Sequence, residues 1–296
     1  MSIEFWLGPW RSPTNVWMVV TAAFTAIACG IPGVFLVLRR MSLTGDAISH
    51  SVLPGIVIGF LISGSLDSPW LVVGAAASGW LAVMVIDLLH RHVGVREDAA
   101  TGVVFAAMFA VGVILLRVTA GRVDLDPDCV LFGNLETAIH GATVELGGLV
   151  VPQIAITTGA ASLVAAMFAF LLFHRLLACS FDPALARLTG QAPGGVQALL
   201  LGLTATVIVA AFQTVGAVMS VALLVLPAAS ALLVARRLWQ ALTTVWLHGM
   251  LSAVGGLYLA TLTDCNLGAA VVLAGTGWFL VAWTAAAKWR GSRSAG

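Results

Sequence analysis

Charge is what this chain of 296 residues has least of. Only 9% of its residues are Asp, Glu, Lys or Arg, against about 25% in an ordinary soluble domain. Too few polar side chains remain to cover a water-facing surface, which excludes a soluble enzyme, a nucleic-acid binder and a disordered chain. Lysine is almost missing. Lys288 is followed by Trp289, whereas a P-loop needs a lysine after a glycine-rich turn to reach the β- and γ-phosphates. This polypeptide therefore holds no ATP in a Walker A loop. Its four cysteines form no CxxC pair. There is no HExxH helix of the zinc-protease kind. The start lacks the basic stretch and small-residue cleavage site of a secretory leader. A formal net charge of +1 offers nothing to a polyanion, so no nucleic-acid partner is expected.

What is there is apolar. Hydrophobic residues make up 60% of the chain, and a crossing helix needs about 20 of them in a row. Nine such segments are legible: 16–38, 43–63, 69–90, 99–118, 151–174, 195–214, 217–235, 241–262 and 268–287. Joining the sixth to the seventh, whose link is very short, or laying the first on the membrane surface, gives eight. Either count predicts an all-α, polytopic transmembrane bundle with lipid around it. Trp6 and Trp10 read as interfacial anchors.

The sparse charges sort by side. Of the 14 lysines and arginines, all but Arg11, Arg117 and Arg122 fall in the loops 39–42, 91–98, 175–194 and 236–240 or in the C-terminal tail. The positive-inside rule places that side, and the C-terminus, in the cytoplasm. Two connections are long. Residues 119–150 face outward and carry the acidic run Asp124–Asp128. Residues 175–194 face inward and predict a short helix, with Asp182 at its N-cap and Pro183 in its first turn. Any soluble partner should dock there, around Phe181, Asp182 and Pro183.

One acid stands apart. Asp46 sits inside the second apolar segment, where a carboxylate costs about 2.5–3.5 kcal/mol on insertion scales. His50 follows four residues later, on the same helical face. An oxygen and an imidazole nitrogen side by side suit a divalent ion such as Zn²⁺ or Mn²⁺, but two ligands do not complete a site. The pair also fits a structural hydrogen bond between packed helices, or a proton relay in an ion-coupled secondary transporter. Pro54 and Gly55 come next. Pro54 lacks an N–H and crowds the carbonyl at position 50, which predicts a kink beside the pair. Leu226–Pro227 repeats Leu53–Pro54 in a segment running the other way, and a second kink is expected at Pro227.

These motifs carry a resemblance. RRMSLTGDAISHSVLPG (39–55) resembles the signature of the metal-type ABC transporter permeases, the membrane subunits of bacterial zinc and manganese importers. EDAATGVVFAAMFAVGVILL (97–116), DLDPDCVLFGN (124–134), FDPALARLTG (181–190) and FQTVGAVMSVALLVLPAASALL (212–233) are similar, in order, to further segments of that family. The likeness runs from about residue 20 to 285.

The resemblance implies a type II importer permease fold in a bacterial inner membrane. It implies one transmembrane permease domain over 1–296, working as a homodimer. A separate cytoplasmic ABC ATPase and an extracytoplasmic metal-binding lipoprotein would be its partners. The cargo would be Mn²⁺, Zn²⁺ or Fe²⁺, with no permanently bound cofactor, and Asp46 and His50 would meet it. Two copies then supply two carboxylates and two imidazoles. A permease of this family adapted to another cargo is the alternative. The sequence departs from the family in its last loop. DCNLG (264–268) lacks the proline of the relatives' motif, and His248 in the eighth segment is unusual. Cys129 and Cys265 fall on the outer side, where a disulfide is allowed. His140 lies beside the acidic run, where it could funnel a cation.

Overall fold

Inside a bilayer each backbone N–H and C=O must be satisfied by the chain itself, so long apolar runs become helices. The computed structural model describes residues 8–64, 68–119, 135–146 and 148–294. Trp6, the Asp124–Asp128 run, Cys129 and the LFGN segment lie outside them. Helix α1 (Pro13–Leu38) leads into α2 (Ser42–Ser51) and α3 (Leu53–Ser63). Then come α4 (Pro69–Leu88), prolonged by a π-turn over Leu89–Val93, and α5 (Glu97–Thr119). A short α6 (Leu135–Ile139) and strands β1 (Thr143–Leu146) and β2 (Leu149–Pro152) precede α7 (Gln153–Leu171). The rest is α8 (Phe173–Phe181), α9 (Pro183–Leu188), α10 (Pro193–Val234), α11 (Leu238–Thr263) and α12 (Leu267–Ser294). Among the described residues, eight segments are long and apolar enough to cross a membrane, with α2 and α3 forming one of them.

The bundle is built around α1, which is buried along most of its length. Lipid is as apolar as leucine, so helices pair through small residues that let backbones approach. Gly33 does this: a Cβ there would collide with the carbonyl of Leu224. At Gly30 it would come within 2.6 Å of Val245 Cγ1. Threonines add polar ties. Thr25 and Thr214 bring their hydroxyls to 3.3 Å across the α1–α10 contact.

Helix α10 is two arms, and the chain doubles back between them. In the first arm Gln197 touches Met41 and Thr214 touches Thr25, so this arm runs antiparallel to α1. Helix α11 also runs antiparallel to α1, with Gly249 beside Ile27 and Tyr258 bonded to Trp10. The 17 residues Val218–Val234 must therefore carry the chain back, and Leu224 accordingly sits at Gly33. The reversal happens at Gly216, where φ is 75° and ψ 174°, a conformation essentially confined to glycine. The seventh apolar segment, 217–235, is thus a separate helical arm, shorter than the eight segments long enough to cross.

Pro227 lies in the returning arm. The helix continues through it. Its ring is accommodated against Gly30, where no side chain stands in the way, and the break lies eleven residues earlier. A further element lies between α6 and α7. Strands β1 and β2 pair antiparallel, Thr143 opposite Pro152 and Leu146 opposite Leu149, the one sheet among the described residues. At the basic end Asp182 caps α9, its Oδ1 accepting from Leu185 N–H at 2.9 Å, with Pro183 in the first turn. Gly190 at φ 76° ends the turn that follows.

Candidate functional site

Asp46 and His50 lie on α2, the fifth and ninth residues of the 22-residue crossing Ser42–Ser63. At 1.5 Å per residue Asp46 stands nearer its basic end and His50 nearer its middle. Their neighbours Ala47, Ile48 and Ser49 are buried, and Gly45 packs against Leu224 of the returning arm. The opposite face, with Leu43 80% exposed, points away from the bundle. Asp46 shares that exposure: its side chain is 50% accessible and that of His50 22%.

Asp46 Oδ1 and His50 Nε2 are 3.6 Å apart, too far for a hydrogen bond. Among the described residues no side chain satisfies either atom by hydrogen bonding. Two atoms each about 2.0–2.2 Å from one small cation stand roughly 3–4 Å from each other, so the separation suits a shared ion. Among the described residues there is no group of three or more His, Cys, Asp and Glu able to hold a metal. One copy of the chain thus offers two ligands and an open side.

The crossing breaks at Val52, between α2 and α3, with Pro54 in the first turn of α3. The break is stitched to α4. Ser78 Oγ donates to the Ser51 carbonyl at 2.7 Å, and Ser51 Oγ donates to the Ala47 carbonyl at 2.7 Å. Gly55 serves this stitching: a Cβ there would meet the carbonyl of Gly74, and one on Gly59 that of Trp70. Backbone meets backbone along α3 and α4, which fixes where α2 ends.

Two residues of the site escaped the sequence reading. Phe105 and Phe109 of α5 hold the His50 ring, with centroids 5.4 and 5.6 Å away, the first tilted and the second edge-on. They stack on each other at 6.2 Å. Their i, i+4 spacing in VVFAAMFAVG was the available signal, but in an apolar segment it is indistinguishable from core packing. Asp46, His50, Pro54 and Gly55 are thus gathered on one crossing. Pro227 lies beside α1, and Phe181, Asp182 and Pro183 project at the basic end.

With this geometry in place, comparison with known proteins is decisive. The sequence profile of the ABC 3 transport family matches residues 13–286. The chain belongs to the ABC 3 transport family. Among its relatives is the manganese transport system membrane protein MntD of Bacillus subtilis, 37% identical over 87% of each chain. Another is the zinc transport system membrane protein TroD of Treponema pallidum. It is 38% identical over 89% of this chain and 72% of its own. The solved structure of PsaBC from Streptococcus pneumoniae in complex with Fab superposes with a TM-score of 0.77. It is 30% identical over 96% of this chain and 95% of that one.

In this ABC 3 chain the last loop builds its own helix start. In DCNLG, Asp264 takes a left-handed turn at φ 51°. Asn266 then caps α12, its Oδ1 accepting from Gly268 N–H at 2.8 Å. A capping side chain does the work of starting the helix that a proline does by fixing φ. His248 is buried in α11. Neither its Nε2 nor the Ser252 hydroxyl has a partner among the described residues, and both face Gly275. His140, Glu136, Asp264 and Cys265 line a cavity of about 320 Å³ at the acidic end.

Proposed function

We propose that this protein is the permease subunit of an ATP-driven importer of divalent metal ions, Mn²⁺, Zn²⁺ or Fe²⁺, working as a homodimer. One observation carries the reading: a carboxylate lies half-open on the outer face of a crossing helix with an imidazole beside it, the two unsatisfied by each other. A carboxylate is not left facing lipid. A second copy would cover it and double the ligands to two carboxylates and two imidazoles. The manganese and zinc names of the relatives support the cargo class. Asp with His suits all three ions, and ligand type alone does not choose among them.

In this reading the basic end is cytoplasmic, following the positive-inside rule, and the protein sits in a bacterial inner membrane with its C-terminus inside. An ABC ATPase docks on segment 175–194. Phe181, Leu185 and Leu188 support that role, being large apolar side chains left 64%, 55% and 85% exposed beyond the crossings. A metal-binding lipoprotein delivers the ion at the acidic end. ATP-driven closure of the ATPase pair moves α9, the two bundles tilt, and the ion held between the Asp46–His50 pairs is released inward. The one permease domain holds nothing permanently.

The test is metal uptake by proteoliposomes of the complex carrying Asp46→Ala or His50→Ala. Both should be severely impaired with assembly intact. Near-normal uptake in both would remove the site. Purification without any ATPase, together with uptake driven by a proton gradient, would replace the reading with a secondary transporter.

A further inference from the structure

At the basic end the α1–α2 turn, the foot of α4, the α8–α9 corner and the start of α10 enclose a cavity of about 800 Å³. Its cationic lining is Arg39, Arg40, Arg91 and Arg187, with His90 beside them and Asp87 the one acid in the lining. Asp87 is already engaged, accepting from Arg91 Nε at 2.6 Å. Arg39 Nε donates to Ser180 Oγ at 3.1 Å. Arg40 and Arg187 pair with no carboxylate among the described residues. The backbone adds donors. Helix α10 begins with no side-chain cap, and Gly194 and Gly195 of its first turn line the cavity. The Arg91 guanidinium lies where a Cβ of Gly194 would stand.

We propose that this cavity binds a phosphate group. Guanidiniums present forked donors that match phosphate oxygens, and the open first-turn amides of a helix favour an anion. The same lining repels divalent cations, so this is no second stop for the cargo. Depth argues for the source. Arg39 follows Leu38, the last residue of α1, and Arg91 lies within the turn after Leu88 of α4. The arginines therefore stand where the apolar crossings stop, at the level of phospholipid headgroups, and basic pockets between helices there take anionic headgroups. A bound phosphate would join the turn that leads into Asp46 to the Asp182-capped helix α9. It would thereby tie the foot of α2 to the segment proposed to meet the ATPase. The binding itself does not depend on whether Asp46 and His50 meet the cargo; only the choice of leaflet uses the orientation proposed above.

The test uses the assembled transporter in nanodiscs of phosphatidylcholine, with and without phosphatidylglycerol. Bound lipid is counted by native mass spectrometry, and inorganic phosphate is titrated into a separate phosphatidylcholine sample. Wild type should retain phosphatidylglycerol. Arg40→Gln with Arg187→Gln should lose it, by about five-fold per arginine. Arg96→Gln, which removes a charge at the same end outside both the cavity and the proposed dock, should retain it. Binding of inorganic phosphate that the double variant abolishes, with no lipid retained, supports the site and assigns it to free phosphate. Equal lipid and phosphate binding in wild type and double variant overturns the proposal. Should the double variant fail to assemble, Arg40→Lys with Arg187→Lys keeps the charge and removes the forks. It should bind phosphatidylglycerol more weakly than wild type, and unchanged binding overturns the proposal.

Discussion

The hydroxyl of Ser78 donates to the carbonyl of Ser51, 2.7 Å away on a neighbouring helix. It lies directly behind the Asp46–His50 pair, where the crossing is interrupted. In a bilayer an interhelical hydrogen bond is worth about 0.6–2 kcal/mol. Ser78→Ala should lower the stability of the purified permease by about that amount, read as a drop in its thermal midpoint in detergent. Ser78→Thr, which keeps the hydroxyl, should fall between the two if the neighbouring Gly55 tolerates the extra methyl.

The aromatic pair around His50 makes a separable prediction. Phe105→Leu or Phe109→Leu keeps the segment apolar but frees the imidazole. Supporting groups around a metal ligand are typically worth about 10–100-fold in affinity or activity. Either change should weaken metal uptake within that range, less than His50→Ala does, with normal assembly. Uptake equal to wild type in both would show that the rings only fill space.

At the basic end, Asp182→Ala removes the cap of α9 and should cost about 1 kcal/mol of local helix stability. Phe181→Asp places a charge on the proposed docking surface without touching the cap. Co-purification with the ATPase should fall strongly for Phe181→Asp and mildly for Asp182→Ala. If both retain the ATPase at wild-type stoichiometry, the dock lies elsewhere.

Gly216→Ala forces a side chain into a conformation that costs about 1–3 kcal/mol outside glycine. Thermal unfolding should shift down accordingly. Uptake should fall as well, because the returning arm carries Leu224, which packs on both Gly33 and Gly45. Pro227→Ala, at a position where the helix continues, should be far milder.

Much of this was legible because a membrane simplifies the code. Apolar run length gave the crossings, and the positions of Asp182 and Pro183 gave the start of α9. The missing N–H of Pro54 announced the interruption after Ser51. At Pro227 the backbone stays helical and the ring packs against Gly30, a partner that a proline read locally does not reveal. The boundary between the sixth and seventh segments coincides with the turn at Gly216, although a single glycine marks it in a continuous apolar stretch. The β1–β2 hairpin lay in a loop without strong alternation. Phe105 and Phe109 were silent because an apolar sequence does not say which of its aromatics meets a histidine on another helix.

The position of α1 has a consequence for how the protein is made. It emerges from the ribosome well before the arms of α10 and helix α11, which bury Thr25, Gly30 and Gly33. For much of synthesis this helix must wait in lipid or against the insertion machinery with its packing face open. A chain truncated before Pro193 should therefore insert but stay loosely packed, with Cys29, fully buried in the finished protein, reacting readily with a membrane-permeant thiol reagent. The full-length chain should protect it, and equal labelling of the two would show that α1 finds cover without its late partners.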